Sequence, residues 1–491
     1  MPCTTILVGR SATYDGSTMI ARNDDSGGGR YTSKKMALVQ PEEQPRVYRS
    51  VISHVEIPLP ENPLRYSAVP NAEEGEGIWA GAGVNSANVA MTATETITSN
   101  ERVLGADPLV VLVPEKDGVP EIPGGIGEED IVVLVLPYIR SAREGVLRLG
   151  SLLEQYGTYE MNGMAFQDVN EIWWLETIGG HHWIARRVPD DACVIMPNQF
   201  GLDHFDLQDA LGEGREFLCS KDLDAFIRDN HLNLSMDGSL IPREAFGSHS
   251  DADHVYNTPR AWFMGRYLAP HEYLWDGPDA DFTPLSDDIP WCLTPERKVT
   301  VEDVKYMLSS HYQGTPYDPY SSAGDCSMRG AYRTIGINRT DFMGLMQLRP
   351  YVPADRCAVE WITFASNVFN ALVPLYPNVE TLPAYFTSTT GTVSTDSFYW
   401  ANRLIAALAD ASYAASIAHV ERYQLAVQSK AREILNRYDR KEAEGESVSA
   451  LLEAANEEIA ACLQEKTQDL LRKVLNEASN RMKNCYSRSD S

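Results

Sequence analysis

Two short β-type runs open the chain, Cys3-Thr4-Thr5-Ile6-Leu7-Val8 and Thr18-Met19-Ile20-Ala21-Arg22-Asn23, with the turn signal Tyr14-Asp15-Gly16-Ser17 between them. Apolar runs separated by Asp-Gly read as an antiparallel hairpin. The thiol of Cys3 therefore heads a strand, and its partners on the second strand set its chemistry. A tight turn at Asp15-Gly16 would place Cys3 opposite position 28; a longer loop over residues 9–17 would place it opposite Asn23 and bring Arg22 and Asp25 beside it. Arg22 would favour a thiolate, and Asp25 would accept a hydrogen bond from a nearby ammonium. If Met1 and Pro2 are removed, Cys3 gains a free α-amine. An α-amine titrating near ~7.7–8.0 can take the proton of a thiol that is only a few per cent ionised at neutral pH. The plainer alternative is a buried core cysteine beside solvated charges.

With 491 residues, 43% hydrophobic and 23% charged, the chain can bury a large core. Its formal net charge of -27 argues against a nucleic-acid partner, which needs clustered Lys and Arg. No apolar stretch approaches the ~20 residues of a membrane span, and the start lacks signal-peptide character. A cytoplasmic location without membrane attachment is expected. The eight cysteines are scattered without zinc spacing or a disulfide framework. His181-His182 would point to opposite faces of a strand, and Gly27-Gly28-Gly29 lacks the Lys-Ser/Thr of a phosphate loop and reads as flexible backbone. Neither a metal nor a cofactor is expected.

Strands are expected at residues 3–8 and 18–23, then at 78–82 and 89–94. Residues 128–156 carry a helical pattern interrupted near Pro137. Residues 164–169, 171–177, 182–188 and 192–196 read as an antiparallel meander, and 244–330 as long loops with short helices. From Ser397 onward the chain is Ala- and Leu-rich, and residues 442–483 read as amphipathic helices with Gly445 near a start. Sequence pattern alone gives a mixed α+β chain, with a main domain at 3–395 and a helical C-terminal subdomain at 396–485. That subdomain could pack on the core or on a second copy in a homo-oligomer.

The run Cys3-Thr4-Thr5-Ile6-Leu7-Val8-Gly9, followed by Asp15-Gly16-Ser17-Thr18-Met19-Ile20-Ala21-Arg22-Asn23-Asp24-Asp25, resembles the start of the N-terminal-nucleophile (Ntn) cysteine dipeptidases, bacterial relatives of the secernins. More distantly it is similar to choloylglycine hydrolase and penicillin V acylase, which share the spaced Cys, Arg and Asp. The resemblance continues through Gly83-Val84-Asn85, Thr92-Ala93-Thr94-Glu95-Thr96, Gly125-Ile126-Gly127-Glu128, Thr315-Pro316-Tyr317-Asp318, Gln347-Leu348-Arg349-Pro350 and Val373-Pro374-Leu375-Tyr376. It implies a four-layer αββα sandwich and cleavage of small peptide substrates, unblocked dipeptides, by Cys3 with Arg22 and Asp25.

The resemblance also assigns further residues. Asn198, just after a strand, matches an active-site Asn of the acylase relatives and would help hold an oxyanion. Where those relatives have a second polar residue, this chain has Glu95. An ionised carboxylate cannot donate to an oxyanion, so Glu95 is expected to hold the substrate's α-ammonium. Arg260 matches a later Arg of the relatives and would tune Cys3 or bind a substrate carboxylate. Two other readings remain: an acylase of the choloylglycine hydrolase or penicillin V acylase type, and a non-catalytic, secernin-like interaction protein that keeps Met1 and Pro2.

Overall fold

The opening hairpin forms at the centre of a seven-stranded sheet. Val8 pairs with Met19, Thr5 with Arg22 and Thr4 with Asn23. One further step sets Cys3 level with Asp24, one residue off the longer-loop expectation. A one-residue slip exchanges the two faces of a strand. Cys3 thus shares a face with Arg22 and Asp24, and Asn23 and Asp25 turn to the other. Side-chain caps close the loop: Thr13 Oγ1 donates to Ser17 O at 2.7 Å, and Ser17 Oγ donates to Asp15 Oδ1 at 2.6 Å.

This computed structural model describes residues 3–322, 325–443, 445 and 447–483. Met1, Pro2 and the end of the expected helical subdomain through Cys485 lie outside them. The first sheet runs, in order, Cys292–Leu293, Cys193–Met196, Thr4–Val8, Thr18–Asp25, Thr340–Leu348, Ala358–Phe364 and Val373–Leu375. The second runs Phe217–Cys219, His182–Arg187, Ile172–Ile178, Asn162–Gln167, Ala90–Thr92 and Ala82–Val84, with Glu95–Thr96 also paired to Asn162–Gln167. Every pairing in both sheets is antiparallel.

Two expectations need correction. Cys193–Met196 leaves the meander and pairs with Thr4–Val8 in the first sheet. The bend before it is tied to the hairpin loop, where Asp190 O accepts from Ser11 N at 2.7 Å. The strand expected from residue 78 starts only at Ala82, because Gly77 (φ 94°) and Trp79 (φ 49°) occupy the left-handed region, which breaks an extended run. The interrupted helix is found as expected: Glu128–Val135, a 3-10 turn at Leu136–Tyr138, then Ala142–Tyr156 capped by Ser141.

Strand alternation separates two cores. Along Ile172–Ile178, Trp173 and Leu175 pack with Ile131, Leu134, Val146 and Leu149 of the two helices on that face. Ile172, Trp174 and Ile178 face the other way and join the first sheet through Leu7 and Ile20, on the face that also carries Thr5 and Thr18. Helices Thr258–Leu268 and Val301–Leu308 contact the first sheet. At its far edge lie Phe398–Ala411, Tyr413–Asp439 and Val448–Ser479, where Asn456 Nδ2 donates to Tyr376 O at 2.9 Å. Among the described residues no helix is long and apolar enough to cross a membrane.

Candidate active site

Antiparallel order gathers strand ends at one end of the first sheet. Cys3 precedes Thr4, Asp24 and Asp25 finish the second strand, Asn198 follows Met196, and Thr340 starts a neighbouring strand. Cys3 and Arg22 are both fully buried there. Arg22 Nη2 donates to Cys3 Sγ at 2.7 Å, to Asp24 Oδ1 at 3.3 Å and to Glu128 Oε1 at 3.1 Å, and its Nη1 donates to Gly81 O at 3.3 Å. Cys3 Sγ also lies 3.9 Å from Asp24 Oδ1. Burial pushes the Cys3 thiol well above its ordinary value; Arg22 opposes this, while Glu95, Asp24 and Glu128 add to it. A thiol held in its neutral form needs a proton acceptor before it can act as a nucleophile.

Cys3, Asp24 and Glu128 are a ligand-like trio, with donor atoms within 4.8 Å of one another. The Arg22 guanidinium touches all three, so the cationic centre of this cluster is supplied by the protein. Asp24 reaches on to Lys34, whose Nζ is 3.0 Å from Asp24 Oδ2. Burial would raise the Asp24 carboxyl, but Lys34 and Arg22 outweigh it and hold it below its usual range.

Asp25 stands apart from this cluster. On the opposite strand face its Oδ2 accepts from Arg333 Nη2 at 2.5 Å and its Oδ1 from Thr340 Oγ1 at 2.6 Å. Arg333 also lies over the Tyr256 ring.

Glu95, Asn198 and Arg260 form a third group against the start of the first strand. Glu95 accepts from Thr5 Oγ1 at 2.7 Å and from Asn198 Nδ2 at 3.1 Å. Burial pushes its carboxyl up to about 8, against the pull of Arg22, the Thr5 bond and Arg260. Arg260 sits in the helix Thr258–Leu268, fully buried. Its Nη1 donates to Cys3 O and to Thr4 Oγ1 (2.6 Å), its Nη2 to Asn198 Oδ1 (2.8 Å) and Asn257 Oδ1 (2.5 Å), and its Nε to Tyr256 O (2.8 Å). All five donors of the guanidinium are engaged. That leaves none for a substrate carboxylate and makes Arg260 a brace for Cys3 and Asn198.

Asp24, Glu128, Lys34, Asn257 and Arg333 were missed from sequence. Asp24 had a signal, since it lies two residues beyond Arg22 on the same strand face, but using it requires the register. Glu128 stands in a motif already singled out, and only the packing of its helix on the second sheet brings it to Arg22. The two adjacent histidines also behave differently from the expectation. Only His182 lies in a strand, His181 precedes it in a turn, and both Nδ1 atoms meet Asp107, at 2.9 Å for His181 and 2.7 Å for His182.

The family model for peptidase family C69 matches residues 2–426. A dipeptidase of Bifidobacterium longum (strain NCC 2705) is 55% identical over the whole of both chains. A probable dipeptidase A of Streptococcus pyogenes serotype M3 is 53% identical, again over all of both chains. Dipeptidase A of Lactobacillus helveticus is 42% identical over 97% of this chain and 96% of its own. With the family model spanning most of its length and relatives aligned end to end, the chain belongs to peptidase family C69.

Proposed function

We propose that this protein is a cysteine dipeptidase with an Ntn-hydrolase αββα core, residues 3–395, and a docked helical subdomain, 396–485. It hydrolyses unblocked dipeptides in the cytoplasm, without metal or cofactor, after Met1 and Pro2 are removed. The observation that carries this reading is the Cys3 Sγ–Arg22 Nη2 contact of 2.7 Å at the head of a strand, in a chain whose relatives bear the name dipeptidase.

The Cys3 sulfur attacks the scissile carbonyl, and the freed α-amine takes the thiol proton and passes it to the leaving amine. Water then hydrolyses the thioester. Arg22 stabilises the developing thiolate. One step beyond Cys3 in the ladder lies Asp25, so an ammonium created at Cys3 finds that carboxylate alongside, itself held by Arg333 and Thr340. Asn198, steadied by Arg260, offers its amide to the oxyanion. Glu95 pairs with the substrate's ammonium, which draws its carboxyl back to the ionised form.

The test joins intact mass with activity. Active enzyme should begin at Cys3, and Cys3→Ala should fold and lose turnover by at least ~10³-fold. Fully active protein that retains Pro2 refutes the amine-as-base mechanism, and a wild-type rate in Cys3→Ala refutes the nucleophile.

A further inference from the structure

Resting on the dipeptidase reading, we infer that a cleft reaching Lys34, which Asp24 links to Cys3, reads the C-terminal carboxylate of the substrate through Lys34 and Arg30, and so limits the leaving group to one residue. The cleft has a volume of about 290 Å³, and its lining includes Arg30, Lys34, Asn71, Glu76 and Trp79. Arg260, the cation expected to bind a carboxylate, is saturated, so another cation must do it.

Lys34 has the connectivity for this role. Its Nζ is 3.0 Å from Asp24 Oδ2 and donates to Trp79 O at 2.9 Å, which uses two of its three donors. The other oxygen of Asp24 is 3.9 Å from Cys3 Sγ. One carboxylate thus spans Lys34 and the nucleophile, bounding their separation at roughly 9 Å. In an extended dipeptide the scissile carbonyl and the terminal carboxylate are about one residue, ~3.5 Å, apart. Adding a contact of ~3 Å at each end gives ~9.5 Å, at the limit of that bound. A second residue after the scissile bond would push its carboxylate past Lys34.

The wall of the cleft is tied to the same site. Trp79, in a left-handed conformation rare for a bulky residue, turns its carbonyl onto Lys34, and two residues on Gly81 gives its carbonyl to Arg22. Among the described residues no side-chain partner holds the exposed Arg30, which follows Gly28 (φ 64°) and Gly29 (φ 75°). Two acidic groups also border the cleft. Asp341 is engaged by Ser26 Oγ, Thr32 N and Arg403, and Glu76 sits exposed at the rim. A carboxylate entering the cleft therefore finds a spare donor on Lys34 and the guanidinium of Arg30.

The experiment compares Ala-Leu with its C-terminal amide, Ala-Leu-NH2, on wild type, Arg30→Ala and Lys34→Met. Wild type should prefer the acid by at least ~100-fold in kcat/KM. Arg30→Ala, an exposed change, should raise KM for Ala-Leu about tenfold with kcat nearly unchanged and narrow the acid-to-amide ratio. Lys34→Met should collapse that ratio whatever it does to the overall rate through Asp24. An acid-to-amide ratio unchanged in Arg30→Ala and in Lys34→Met overturns the inference and leaves the dipeptidase reading intact. Cleavage of neither compound, with N-acyl amides hydrolysed instead, overturns both.

Discussion

Replacing Glu95 by Gln tests the electrostatics of the site through stability, apart from turnover. Glu95 is fully buried, and burial lifts its carboxyl from an ordinary 4.5 to about 8. Between those values the unfolded chain has released the proton and the folded chain has kept it. Stability is therefore lost as pH rises across this window, by about 1.4 kcal/mol per pH unit and about 5 kcal/mol in all. Gln cannot titrate. It can keep both contacts, with Oε1 accepting from Asn198 Nδ2 and Nε2 donating to Thr5 Oγ1. Wild type and Glu95→Gln should melt close together near pH 5. By pH 8.5 the variant should lead by about 5 kcal/mol, which for 491 residues at ~2.1 cal/mol/K per residue of unfolding entropy is about 5 °C. Calorimetric scans of both proteins at pH 5, 6.5 and 8.5 measure this, and the difference between them cancels every other buried carboxyl. A melting difference that stays constant over this range means Glu95 is ionised in the fold, and the reasoning fails.

The same Glu95 titration should appear in substrate binding: KM for Ala-Leu should fall between pH 6 and 8 in wild type and stay flat in Glu95→Gln, read from initial rates. Gly81→Ala should cost about 1–3 kcal/mol and lower kcat, because the new Cβ would lie 2.3 Å from Phe342 Cε1 and 3.1 Å from Asp24 Oδ2, beside the carbonyl that holds Arg22. Melting and turnover together check it. Arg260→Lys offers three donors where five are used, so stability should drop by about 2–6 kcal/mol from two unmet buried partners. Its acid-to-amide preference should stay that of wild type, and a selective loss for the free acid would return Arg260 to the substrate.

The opening hairpin, the helix broken at Pro137 and much of the meander were legible in the sequence, because alternation, turn residues and proline act locally. The sequence also marked Cys3 and Arg22, which the structure brings to within 2.7 Å of one another. Whether Asp24 or Asp25 meets the thiol was a matter of register, which the structure sets by pairing Val8 with Met19. The strands Thr340–Leu348 and Ala358–Phe364 escaped notice, and buried on both faces they lack the alternation that exposes a strand to sequence reading. Glu128, Lys34, Asn257 and Arg333 come from segments 31 to 330 residues beyond Cys3 and gather around its site only through the packing of sheets, helices and loops. Their influence on the buried charges is electrostatic and depends on distance and burial, quantities that no local pattern encodes and that arise when distant segments pack together.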